Sequence, residues 1–359
     1  MRQLLVALSL SVVAIVGSAP EVTAQSTPPT GSMQEKPADA MAAAMEAYRG
    51  QRYDEARRLA LPLAESGEIA AQLMLGSIYN NGEGVTPDRN EAARWFGMAA
   101  EQGDASAQYA LGLLMEYGDV AGATPAAARR LFQQAADQGH AAAQTELGMM
   151  YTTGHGGPRD IDTAAALFER AAKTGHADAQ YYLGTLFATG RGRPQDLGEA
   201  AAYFRLAADQ GQPEASYQLG LMLQDGVGTT KNAIEAARRF SGAAESGLPE
   251  AQTALAFAYL AGDGVERNAT LAAKWFTEAA MRGEPLAQAR LARLYFLGQG
   301  VARDVAAALL WLTLAEKGGY EDEALRSALE PEITPEIRAS VDRQIARWDQ
   351  GATGATSGD

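Results

Sequence analysis

The stretch Ala107-Gln108-Tyr109-Ala110-Leu111-Gly112 returns along this chain every 36 residues. It stands again at Ala71 to Gly76, Ala143 to Gly148, Ala179 to Gly184 and, with Ser216 for Gln, at Ala215 to Gly220. Two further copies, Ala251 to Ala256 and Ala287 to Ala292, end in Ala. Seven copies in one phase constrain the fold severely. Each unit is too short to bury its own apolar face, so neighbours must stack to make a continuous core.

Other positions keep the same step. A turn glycine precedes each copy from Gly67 to Gly283 and recurs at Gly319. A second row, including Gly82, Gly118 and Gly226, is placed to cap a helix in the left-handed conformation. A third, two residues later, is broken by Val120. An aromatic or leucine pair recurs as Trp95-Phe96, Leu131-Phe132, Leu167-Phe168, Tyr203-Phe204, Trp275-Phe276 and Trp311-Leu312, with Arg239-Phe240 keeping half of it.

Each unit reads as two antiparallel helices. In the first, Ala107, Leu111, Leu114 and Met115 fall at i, i+4, i+7 and i+8, one helical face. Gly112 costs about 1 kcal/mol of helix propensity. A row that takes only Gly or Ala there predicts a close crossing by the second helix. The second helix begins at Asp88, Thr124, Asp160, Asp196, Asn232, Asn268 or Asp304, all N-cap types, with Glu91, Glu199 and Glu235 placed for a capping box.

This order and spacing of residue types, over roughly Tyr53 to Gly319, resembles the Sel1-like repeat, a relative of the tetratricopeptide repeat. The resemblance implies an all-α, right-handed α-solenoid of helix-turn-helix repeats, with the repeats at 67–319. Residues 40–66 read as an N-terminal capping helix pair, with Tyr48 and Gly50 closing its first helix, and 320–349 as C-terminal capping helices. Residues 1–24 read as a signal peptide. Arg2 precedes an apolar run from Leu4 to Val16, shorter than the roughly 20 residues a spanning helix needs, and Val22-Thr23-Ala24 forms a cleavage site. Composition makes 25–39 a disordered linker and 350–359 a disordered tail. Periplasmic or secreted location follows as an expectation, with no membrane insertion after cleavage.

Net charge is −14, which opposes binding to nucleic acid and anionic lipid. With no cysteine there is no thiolate chemistry or disulfide framework. His140 and His176 stand one repeat apart after a turn glycine and share a structural role, while His155 reads as a solvent residue. The Asp225-Gly226-Val227-Gly228 and Asp263 loops lack the acidic ladder of a calcium loop, and Gly190-Arg191-Gly192 lacks the context of a phosphate loop. Catalytic residues, metal ligands and cofactors are therefore expected to be none.

What varies is the first-helix face away from the core. In a solenoid these helices line the concave surface. The candidate partner-binding residues along it are Tyr109, Met149, Tyr181, Tyr217, Leu221, Phe257, Leu260, Arg293 and Phe296. Aromatic side chains with an arginine are common interface anchors. Contact with the neighbouring repeat is the competing use of these places. The resemblance implies a non-enzymatic scaffold or regulator of the cell envelope that binds a protein or peptide. Glycan or peptidoglycan binding is the alternative. A cell-wall or β-lactam hydrolase is the other, and its cysteine-rich relatives carry cysteine pairs that this chain lacks.

Overall fold

The computed structural model describes residues 37–117 and 120–356. The signal peptide, linker residues 25–36, Gly118 and residues 357–359 lie outside the described residues. Those described form eighteen α-helices and no strand. They group into two compact units, one ending at His176 and one starting at Ala177.

The first unit holds α1 (Pro37–Arg49), α2 (Tyr53–Glu65), α3 (Ile69–Asn81), α4 (Arg89–Glu101), α5 (Ala105–Glu116), α6 (Pro125–Asp137), α7 (Ala141–Thr153) and α8 (Ile161–Lys173). The second holds α9 (Ala177–Thr189), α10 (Leu197–Asp209), α11 (Pro213–Asp225), α12 (Ala233–Glu245), α13 (Pro249–Ala261), α14 (Ala269–Met281), α15 (Pro285–Leu297) and α16 (Val305–Lys317). It closes with α17 (Glu323–Leu329), a 3-10 turn at Glu330–Glu332 and α18 (Pro335–Thr356). In every repeat the odd-numbered first helix packs most extensively on the even-numbered second helix that follows.

The predicted close crossing is present. A Cβ on Gly112 would stand 2.6 Å from the Phe132 ring, and one on Gly148 2.6 Å from Phe168. In the second unit Gly220 meets Phe240 in the same way, at 2.5 Å. Each ring is almost fully buried against bare backbone. The third glycine row has a comparable reason. A Cβ on Gly264 would collide with the Ala233 carbonyl at the start of the preceding second helix. Val120, which breaks that row, is buried, and the neighbouring Ala121 N–H donates to Asn90 Oδ1 of α4 at 3.1 Å. The same place is tied down by a side chain instead.

A buried glutamine joins consecutive repeats. Gln72 donates to the Ala64 carbonyl at 3.0 Å, and its oxygen accepts from Gln102 Nε2 at 2.9 Å. Gln108 repeats the pattern with Ala100 and Gln138. In the second unit Gln252 donates to Ala244 and accepts from Arg282. Where the partner position is Thr174, Gln144 Oε1 is left without a partner.

All seven predicted N-caps accept backbone N–H bonds. The capping boxes do not form. The Asp88 N–H that Glu91 would have accepted donates to the Tyr79 carbonyl, and Glu91 pairs with Arg94 at 2.7 Å. Glu235 likewise turns to Arg205. The end of the first helix had already taken the donor.

The boundaries shift at both termini. Helix α1 begins at Pro37, inside the expected linker, because proline suits a first helical turn. It ends at Arg49, with Gln51 rather than Gly50 taking a positive φ of 57°. The expected tail is helical through Thr356. Val341 and Ile345 are buried and Trp348 meets Trp311 edge-on at 5.7 Å, so an anchored helix propagates past residue 350 without a new nucleation cost.

Gly148→Leu should therefore destabilise by about 1–3 kcal/mol through overpacking, and Gly148→Ala by less, since Ala256 and Ala292 occupy the same row. Thermal melts of the two variants check this; coincident melting points would mean that the Phe168 ring yields freely.

Candidate functional site

All seven first helices set a half-buried residue at the open place that Tyr109 holds in α5, or one turn beyond it. In the first unit Tyr109 lies on Phe132, ring centroids 5.9 Å apart, and stacks on His140 at 4.8 Å. Met149 is half-buried on α7. Other members of the stripe have moved inward: Leu113 is 3% exposed and Thr145 is buried, its hydroxyl donating to the Ala141 carbonyl and lying 3.1 Å from His176 Nδ1.

In the second unit Tyr181 leans on Phe204 and Tyr217 on Phe240, at 5.9 and 6.1 Å. Phe257 meets Phe276 edge-on at 5.2 Å. Leu221, Leu260 and Phe296 are half-buried and packed on the core from one side. Thr253 and Ala289 are buried, and Thr253 bonds Glu284 of the next repeat at 3.2 Å. Contact with the neighbouring repeat thus occupies Thr145 and Thr253 of this stripe, while its aromatic residues stay half-buried.

Arg293 has a different occupation from the one its place in the stripe suggested. Its guanidinium grips Asp322 with two bonds of 2.6 and 2.8 Å. Asp322, nearly buried, also caps α17 by accepting from Leu325 N–H. The arginine holds this carboxyl below its ordinary range, and is itself pushed up. The pair fastens the C-terminal cap. Phe296 is covered by Arg303, whose guanidinium lies 5.4 Å from the ring centre and bonds Glu332.

Burial pushes the Tyr181 hydroxyl up, and Glu214 adds to it; for Tyr217 burial is followed by Glu250 and Glu284. These carboxylates belong to the opening turns of α11, α13 and α15, so each tyrosine looks onto the acidic start of a following repeat.

The histidines have structural partners. His140 Nδ1 accepts the Ala143 N–H at 3.2 Å as the N-cap of α7, the job Asp104 performs for α5. His155 is exposed and lies 3.2 Å from a Glu116 carboxylate oxygen. Among the described residues no group of three or more His, Cys, Asp or Glu is placed to hold a metal. A hollow of about 570 Å³ lies against Asp54, Glu55, Arg57, Arg58 and Leu61, all on the surface of α2.

The Sel1 repeat matches residues 69–104, 105–140, 141–176, 177–212, 213–247, 249–284 and 285–320. Among solved structures the chain is similar to a Sel1 repeat protein from Oxalobacter formigenes, at 34% identity over 84% of this chain and 88% of that one, with a TM-score of 0.64. It is also similar to a protective antigen present in uropathogenic Escherichia coli strains, at 25% identity over 86% of this chain and 75% of that one, TM-score 0.54. None of the curated proteins matches.

His140 gives this arrangement a pH dependence. Burial lowers its pKa, with His176 adding to the effect and Asp104 opposing it. The folded state disfavours the protonated ring, whereas the unfolded chain protonates near pH 6.5. Its contribution is therefore present above about pH 6.5 and lost as pH falls towards the folded pKa. His140→Asn keeps a cap acceptor without the titration. Melting temperatures between about pH 7 and 5 should fall less steeply for this variant than for the parent chain; equal slopes would show that the cap does not titrate with folding.

Proposed function

The chain belongs to the Sel1 repeat family, whose members are generally protein-interaction scaffolds, and we propose that it is such a scaffold in the bacterial cell envelope, exported and non-enzymatic. Its partner is a protein or peptide segment laid across the first helices. The observation that carries this reading is the line of half-buried Tyr181, Tyr217 and Phe257 in the second unit. Each packs its ring against a buried phenylalanine, Tyr181 and Tyr217 tilted and Phe257 edge-on, and each stays partly exposed. Half-buried aromatic side chains held rigidly from below are what interface anchors look like before the partner arrives.

Envelope location rests on the apolar run from Leu4 to Val16 and the cleavage site at Val22-Thr23-Ala24. Among the described residues no helix is long and apolar enough to cross a membrane. N-terminal sequencing of the exported protein should read from Gln25; retention of Met1 would remove the support for export.

The anchors are tested against a core position. Phe257→Ala with Phe296→Ala should weaken partner capture, read by crosslinking in cells and mass spectrometry, by about 2 kcal/mol or more with little change in melting. Phe276→Ala, at a fully buried ring, should instead cost about 3–5 kcal/mol of stability. If Phe257 and Phe296 cost as much stability as Phe276, they are core residues and the face is not a binding surface. Undiminished capture with undiminished stability would move the partner elsewhere on the chain.

A further inference from the structure

Cations are sorted by helix. The first helices α3, α5, α7, α9, α11 and α13 contain no Lys, Arg or His, while every second helix from α4 to α16 contains at least one Lys or Arg. In the second unit α9, α11 and α13 carry Asp178, Glu214, Asp225 and Glu250. Asp178, Glu214 and Glu250 are exposed in the opening turns. Cations enter this face only at α15, with Arg290 over the Phe257 ring at 5.5 Å and Arg293 held by Asp322.

From this we infer that the first-helix face of the second unit takes a basic partner: an extended protein segment in which Lys or Arg recurs at every third residue among apolar ones. The inference rests on the scaffold reading above and adds the chemistry of the partner. Tyr181 and Tyr217 are half-buried aromatic rings, a group that attracts a guanidinium or ammonium. The same tyrosines have the Glu214 and the Glu250 and Glu284 carboxylates as their charged neighbours. A cation lying on the ring therefore finds a counterion beside it. Leu221, half-buried between these rows, offers apolar contact. An acidic segment would meet uncompensated like charge on every repeat until Arg290. Packed helices lie about 10 Å apart, and an extended polyproline II segment rises about 3.1 Å per residue with three residues per turn, so every third side chain faces the same way. One cation in about every three residues therefore keeps step with the repeats.

The probes are three labelled peptides, four repeats each of Lys-Ala-Leu, Gln-Ala-Leu and Glu-Ala-Leu, titrated against the full mature chain by fluorescence anisotropy. The lysine peptide should bind most tightly. Glu214→Gln with Glu250→Gln should weaken it about fivefold or more, as should Tyr181→Ala with Tyr217→Ala. Glu245→Gln with Glu266→Gln makes the same charge change at exposed sites away from the tyrosines and should leave binding within twofold. Circular dichroism confirms that each variant is folded. Equal weakening by the control pair would show diffuse attraction to a chain of net charge −14 and overturn the inference. If the glutamine or glutamate peptide binds as tightly and is lost with the tyrosines, the peptide-binding reading stands and the basic partner falls. If no peptide binds, the inference fails outright, and the capture experiment on Phe257 and Phe296 still judges the scaffold.

Discussion

Everything in this fold rests on a phenylalanine ring pressed against a glycine backbone. Phe132 under Gly112, Phe168 under Gly148 and Phe240 under Gly220 set how close the two helices of a repeat come. Burying each ring contributes about 1.5–3 kcal/mol, more than the roughly 1 kcal/mol that a mid-helix glycine costs. The exchange is favourable only because the ring fills the space the missing side chain leaves. Once that distance is fixed, the alanines along the second helix, such as Ala135 and Ala136, are small enough to let the next repeat approach, and they are fully buried. The period follows from one contact made repeatedly.

The buried glutamines turn a row of repeats into a coupled one. Gln108 satisfies a carbonyl at the end of the preceding second helix and is itself satisfied by the following one through Gln138. A buried amide left unpaired costs about 1–3 kcal/mol, so each repeat holds its neighbour in register. The chain shows what happens when one member changes. Thr174 replaces the partner glutamine, Gln144 Oε1 goes unpaired, and Arg170 reaches back to bond the Ala136 carbonyl.

The features legible in the sequence are those that repeat at 36 residues within one helix pair. Helix pairing, the N-caps and the glycine–aromatic crossing all show in the register of residue types. The capping boxes misled because their outcome depends on a third party, the Tyr79 carbonyl, which spacing alone does not bring near Asp88. The ion pair of Arg293 was hidden for a related reason. Its partner Asp322 lies just past the last repeat, where the pattern has already slipped, so no periodicity announces the pair. The buried fate of Leu113, Thr145 and Thr253, against the half-open Tyr109 and Tyr181, turns on how the neighbouring repeat fills the space. A helical wheel treats these places alike.

The sorting of charge has its own physical origin. Long cationic side chains on the second helices act as braces across repeats. Arg129 lies over the Tyr151 ring at 3.8 Å and bonds the Pro158 carbonyl, Arg205 reaches Glu235, and the nearly buried Arg239 lies 2.7 Å from Asp209. Arginine suits this work because its planar fork can stack and donate at once. The first helices are braced differently, by bare glycine backbone and neutral glutamine, and need no cation. Excess carboxylate can therefore accumulate along their open ends without a counterion from the same helix. The negative face is thus a consequence of how the repeats are tied together on the other side. Because the braces are built from residues that hold the fold, a partner matched to that face in the second unit would meet the same sign of charge from α9 to α13.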